Sequence, residues 1–183
     1  MEIVVDEKIR EKWHRGFARE KPVSEIIIHG TGGGGTYQYV LNGGRSSLYV
    51  RGIALFHYLV ERDGKIIEII HPKRWVYHSS SGKHDEVTIG IELLNPDLHN
   101  NGFYTDEQYK SLFYLIFDKL MKAFPEVNII RSHSATKQIY SGSPKSCPGP
   151  AFDWSRLDAE FERRDIYVFQ DRDESYEIIG GTA

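Results

Sequence analysis

The chain has 183 residues, 40% of them hydrophobic and 27% charged, which is enough for one domain with its own core and too apolar for a disordered chain. A formal charge of −3 argues against a dedicated nucleic-acid surface, which needs a clear basic excess. No apolar run reaches the length of a membrane span, and the single cysteine, Cys147, excludes an intrachain disulfide.

Residues 1–19 read as a charged lead-in, helical in part, without the apolar core of a signal peptide; synthesis in the cytoplasm is expected. Residues 25–29, Glu-Ile-Ile-Ile-His, are a β-branched run that predicts a buried strand. The run Gly30-Thr31-Gly32-Gly33-Gly34-Gly35 must be a loop, and a short helix is expected over 36–41. Residues 54–61 and 65–70 read as two strands, joined through Arg62-Asp63-Gly64 with its Asp-Gly hairpin signal. Residues 88–94 alternate, with Ile89, Ile91 and Leu93 on one face and Thr88, Gly90 and Glu92 on the other.

The clearest helix spans 105–124. Thr105 and Gln108 make a capping box, Tyr109, Leu112, Phe113, Ile116 and Leu120 form an apolar stripe, and Pro125 ends it. A short strand follows at 128–131. Asp153 caps a last helix that runs to Arg163 or Arg164, and the tail from Asp165 is acidic without a clear element. Strands interleaved with a few helices predict a single α/β domain around a central mixed sheet. Its core is expected over about 25–164, with 1–20 as lead-in and 165–183 as tail. Trp75 and Trp154 are expected in the core, and Tyr37, Tyr39 and Tyr49 as half-buried packing.

Three residues are chemically notable together. His29 ends the first strand, His133 follows the strand at 128–131, and Cys147 lies in a loop before Pro148-Gly149-Pro150. Two imidazoles and a thiolate suit zinc and leave a fourth position for water. Spacing alone favours a plainer reading, two hydrogen-bonded histidines and a packed cysteine, because the three form no tight local motif. Gly30, Gly32 and Gly35 also satisfy the dinucleotide-binding pattern. The break at Gly43-Gly44 leaves no room for a crossover helix, and no acidic residue lies between 36 and 58 to hold a ribose. No Gly-Lys-Ser/Thr sequence ends the run, so a phosphate loop fails as well.

Five further stretches stand out: Phe56-His57-Tyr58-Leu59-Val60-Glu61-Arg62-Asp63-Gly64, Tyr77-His78, Thr88-Ile89-Gly90-Ile91-Glu92-Leu93, Arg131-Ser132-His133-Ser134 and Pro144-Lys145-Ser146-Cys147-Pro148-Gly149-Pro150. With Ile26-Ile27-Ile28-His29 they resemble, in order, the zinc amidase family. That family includes short phage lysozyme-amidases, the cytosolic anhydromuropeptide amidase of cell-wall recycling, and animal peptidoglycan recognition proteins. The resemblance covers roughly residues 25–157.

It implies a mixed sheet with a zinc site at the sheet's edge in a surface groove, and cleavage between N-acetylmuramic acid and L-alanine in peptidoglycan or its fragments. Residue by residue, His29, His133 and Cys147 match the zinc ligands. Glu92 matches the glutamate that serves as general base in the recycling enzymes, and Lys145 matches a lysine that stabilises the oxyanion. His78 matches a histidine along the substrate groove, and His57 a buried structural one. The short phage enzymes use a tyrosine where this chain has Phe56, which shifts the base to Glu92. Without the resemblance, Glu92 reads as a surface glutamate and Lys145 as a solvated loop lysine. The competing expectation is a non-catalytic peptidoglycan-binding module, against which Cys147, Lys145 and Glu92 weigh. A monomer that binds neither nucleic acid nor membrane is expected. The cysteine and small size lean toward a lytic enzyme, and Glu92 toward recycling; an effector exported by another route also fits.

Overall fold

The β-branched run at 25–29 forms the strand that carries the sheet. In the computed structural model, β3 (Glu25–Gly30) is buried along its whole length. It pairs in parallel with β7 (Thr88–Leu93) on one side and β8 (Ile129–Ser132) on the other. The structure describes residues 2–5, 16–32, 56–95, 103–141, 147–166, 169–172 and 175–178. The helix expected over 36–41 and Tyr37, Tyr39 and Tyr49 lie outside them.

The hairpin through Asp63-Gly64 is present between β4 (Tyr58–Val60) and β5 (Ile66–Glu68), which pair antiparallel. Gly64 takes φ 85°, a left-handed conformation that favours glycine. Both strands are shorter than the alternation predicts. With β1 (Ile3–Val5), β9 (Phe169–Arg172) and β10 (Ser175–Ile178) they complete a mixed sheet of eight strands, in the order β1-β5-β4-β7-β3-β8-β9-β10. The lead-in is therefore not helical where it is described: Ile3, Val4 and Val5 are β-branched, and they pair in parallel with the open side of β5. The acidic tail contributes β9 beside β8 and β10 beside β9. A separate two-stranded ribbon joins β2 (Phe17–Ala18) to β6 (Arg74–Trp75).

Alternation divides the sheet into two faces. Ile26, Ile28, Ile89, Ile91 and Leu93 join the core with Leu112, Leu115, Ile116, Leu120, Leu157 and Phe161 from the helices. Each such fully buried side chain is worth about 1.5–3 kcal/mol in area removed from water. The other face carries Glu25 and His29 of β3 and Thr88, Gly90 and Glu92 of β7.

Beyond a four-residue helix α1 (Gly82–Asp85), the core face is covered by α2 (Asp106–Phe113), which continues through a π-wound stretch (Tyr114–Leu120) into a last α turn (Met121–Ala123). The capping box is formed in both directions. The Thr105 hydroxyl also donates to Arg62 O at 2.6 Å, and Gln108 Nε2 donates to Leu94 O at 2.9 Å. The cap thus ties the helix to the turn after β4 and the end of β7. The π winding was not legible; with i→i+5 bonding, residues five apart share a face, and Leu115 and Phe117 are buried besides the expected stripe.

Helix α3 (His133–Ser141) was not expected from the sequence, although its cap is local: Ser132 Oγ accepts from Ala135 N at 3.0 Å. Helix α4 (Trp154–Arg164) starts at Asp153, whose carboxylate accepts from Ser155 N at 3.1 Å, and ends at the left-handed Asp165. Trp154 packs on the core only partly buried, and Trp75 lies outside it, stacked on Phe17 with centroids 4.3 Å apart. Two short ribbon strands cannot enclose an indole, so the expected core role of Trp75 is corrected. Among the described residues, no helix is long and apolar enough to cross a membrane.

Candidate metal centre

His29 is the fifth residue of β3, near its carboxyl end, where the parallel central strands open onto their loops. His133 is the first residue of α3, directly after β8. Cys147 reaches them from the following loop because its carbonyl accepts Ser134 N–H at 2.9 Å, one of the donors a helix start leaves unpaired. Tyr104 donates to Pro148 O at 2.6 Å and holds the same loop from the other side. The edge that carries the site is thus made of strand ends, and all three side chains are buried.

Their ligand atoms lie within 4.8 Å of one another, and His29 Nδ1 is 2.9 Å from His133 Nδ1. Gly30 N–H points at Cys147 Sγ from 3.4 Å, and Gly30 O lies 3.8 Å from the same sulfur. Two buried imidazole nitrogens facing each other beside a sulfur need a shared proton or a cation between them. Zinc takes this donor set at bond lengths of about 2.0–2.3 Å, close to the span available. The set fits a divalent metal with one coordination position left over.

Glu92 pairs in register with His29 across β7 and β3. In a parallel pair such partners project from the same face of the sheet at strand spacing, about 4.8 Å. Glu92 is half-buried on that face. Burial first, with further pressure from the negative charge of Cys147 and Glu92, pushes the Tyr104 hydroxyl far above the ordinary phenol range. Phe56 is buried and brings no polar atom to the site. Lys145 lies outside the described residues.

Behind His29 stands a second layer. His78 Nδ1 is 3.2 Å from His29 Nε2, and His78 Nε2 is 2.9 Å from Thr88 Oγ1. The resemblance sets His78 along the substrate groove; the residue is 7% exposed and its ring is engaged at both nitrogens. Burial, then the neighbouring His57, His133, His84 and Arg19, holds its pKa well below the usual histidine range. His57 is fully buried. Its Nδ1 accepts Gly90 N–H at 3.0 Å, so the proton is on Nε2, which donates to Arg74 O at 2.9 Å. Burial and the Arg19 guanidinium, 3.1 Å from Nε2, push its pKa down to about 3. Reading the chain alone assigns nothing to Thr88 or Asp85. Asp85 accepts from the backbone N–H of His78 at 2.9 Å and of Ser79 at 2.6 Å, and no local pattern marks such a contact.

Comparison with known proteins follows the same lines. The family model described as N-acetylmuramoyl-L-alanine amidase matches residues 19–150. The chain is 31% identical over 108 residues to the 1,6-anhydro-N-acetylmuramyl-L-alanine amidase AmpD of Enterobacter cloacae, covering 55% of this chain and 54% of that protein. The Escherichia coli AmpD is 30% identical over 107 residues, covering 55% of each. The chain therefore spans about half the length of the curated relatives it matches. Among solved structures, the Ph2119 endolysin from a Thermus scotoductus bacteriophage superposes with TM-score 0.64 at 18% identity, covering 87% of this chain and 98% of that one. A crystallised AmpD gives TM-score 0.57 at 22% identity, over 86% and 98%. Drosophila peptidoglycan recognition protein SD gives 0.61 at 17%, over 83% and 90%. At these identities the structural matches establish the fold. The family match spans more than two thirds of the sequence and takes in His29, Glu92, His133 and Cys147. The chain belongs to the N-acetylmuramoyl-L-alanine amidase family.

Proposed function

We propose that this chain is a zinc-dependent hydrolase of the amide bond between N-acetylmuramic acid and L-alanine in peptidoglycan or its fragments, acting as a monomer. The observation that carries the reading is the meeting of His29, His133 and Cys147 with Glu92 in register beside them. His29, His133 and Cys147 would hold the metal. When bound, zinc supplies Lewis acidity to the scissile carbonyl and brings the pKa of a water toward ~7.

The remaining work falls to the chain's own groups. Glu92 takes the proton of the attacking water and delivers it to the alanine nitrogen as the bond breaks, so that one carboxylate is base and then acid. Its half-exposed position on the strand beside His29 suits a group that must meet substrate and stay ionisable. Lys145, two residues before Cys147, is the proposed donor to the oxyanion, a role that rests on the family resemblance. Phe56 has no hydroxyl to share the base role. The AmpD relatives bear the name of a 1,6-anhydro-N-acetylmuramyl-L-alanine amidase, which supports this bond chemistry for the proposal.

The test measures bound zinc and the release of peptides with a new L-alanine amino terminus. Substrates are whole sacculi and soluble anhydromuropeptides, which separate a lytic from a recycling role. Glu92→Gln is expected to lower kcat by about 10²–10⁴-fold with zinc retained. A metal-free wild type that releases nothing, or a Glu92→Gln variant at the wild-type rate, defeats the reading.

A further inference from the structure

The hydrogen bonds behind His29 form a chain that can run in two directions, and only the one in which Thr88 gives its proton to Asp85 O leaves His29 Nδ1 unprotonated for a metal. The Asp85 carbonyl oxygen can only accept, and the Thr88 hydroxyl lies 3.3 Å from it. A hydroxyl has one proton. Once that proton is given to Asp85 O, Thr88 Oγ1 offers only lone pairs to His78 Nε2, 2.9 Å away. His78 must then carry its proton on Nε2, which leaves Nδ1 as an acceptor. The group facing that acceptor is His29 Nε2 at 3.2 Å, so His29 is protonated there and its Nδ1 is the unprotonated nitrogen. That is the atom 2.9 Å from His133 Nδ1, inside the ligand cluster. With the chain reversed, a proton would sit on His29 Nδ1 and block it as a ligand.

The local backbone fits this device. The Asp85 carboxylate clamps the main chain at His78 and Ser79. Strand β7 makes room for the imidazole: a Cβ on Gly90 would stand 2.8 Å from His78 Nδ1 and 3.0 Å from its Cγ.

We propose that Thr88 and His78, anchored on the Asp85 carbonyl, form a one-way hydrogen-bond relay that locks His29 in the Nε2–H tautomer and so presents Nδ1 to the metal. Both are positioning residues. The inference rests on the zinc reading above and goes beyond it, since the second layer around a ligating histidine commonly sets metal affinity by about 10–100-fold.

The experiment uses the full chain with zinc. Its readouts are affinity by competition with a chromophoric chelator and ring protonation by long-range proton–nitrogen correlation spectra of the histidines. Thr88→Val, which keeps the shape and removes the hydroxyl, is expected to weaken zinc binding by about 10–100-fold, and Thr88→Ser to restore most of it. In the wild type, both His78 and His29 should carry their protons on Nε2. Wild-type affinity in Thr88→Val, or a proton on Nδ1 of His78, overturns the relay. If Thr88→Val does not fold, the wild-type spectrum decides alone. A wild type that takes up no zinc defeats the metal reading instead, and the same spectrum still reports which way the chain runs.

Discussion

Burial of His57 makes the fold acid-sensitive by an amount that can be worked out. In the unfolded chain its pKa is near 6.5; in the folded protein burial and Arg19 hold it at about 3. The folded state therefore refuses a proton that the unfolded state accepts. The stability this represents is complete above pH 6.5 and is lost as the pH falls toward 3, because the unfolded state binds more protons throughout that window. Each pH step within it costs about 1.4 kcal/mol, so moving from pH 7 to 4.5 should remove about 2.5 kcal/mol through this residue alone. A loss of that size is a large part of the total stability of a typical domain. Urea unfolding at a series of pH values measures it, with His57→Gln as the reference. Glutamine keeps an N–H for Arg74 O but cannot titrate, so the difference in slope between the two proteins cancels every other group. Parallel stability curves for the two between pH 7 and 4.5 would refute the reasoning.

Other expectations follow from single contacts. Gly90→Ala drives a methyl into the His78 ring and is expected to cost about 1–3 kcal/mol, read as a lower urea midpoint; an unchanged midpoint would mean that the ring has somewhere else to go. Thr105→Ala removes the oxygen that caps Gln108 N and bonds Arg62 O, for a loss of about 1 kcal/mol with the denaturant slope unchanged. Cys147→Ala leaves two imidazoles for the metal, and zinc retained after dialysis, measured by elemental analysis, is expected to fall sharply; full retention would remove Cys147 from the ligand set.

Signals confined to a few neighbouring residues were legible in the chain. Ile89, Ile91 and Leu93 do face the core and Glu92 the site, because a strand alternates whatever it pairs with. The Thr105–Gln108 box, the Asp63-Gly64 turn and the Asp153 cap are where the sequence puts them, since each is closed by atoms two or three residues apart. The strand at Ile3–Val5 and the two strands of the tail escaped notice, because their charged surroundings hide an edge that only pairing stabilises. The metal candidates were named through family resemblance, while spacing alone argued against them.

What the sequence by itself determined is the set of side chains and their local elements: a buried strand ending in His29, a glutamate on the polar face of another, a histidine after a third. What only the tertiary structure decided is their meeting and the hydrogen-bond partners each one faces. His29 and His133 lie 104 positions apart and touch because β3 and β8 pair in parallel and both open at the same end of the sheet. His29 turns Nδ1 toward that meeting point and Nε2 toward His78, and the proposed relay through His78 and Thr88 sets which of the two carries the proton. Hydrogen-bond direction is a property of donors and acceptors brought face to face, and strand register and burial, not chain order, bring them there.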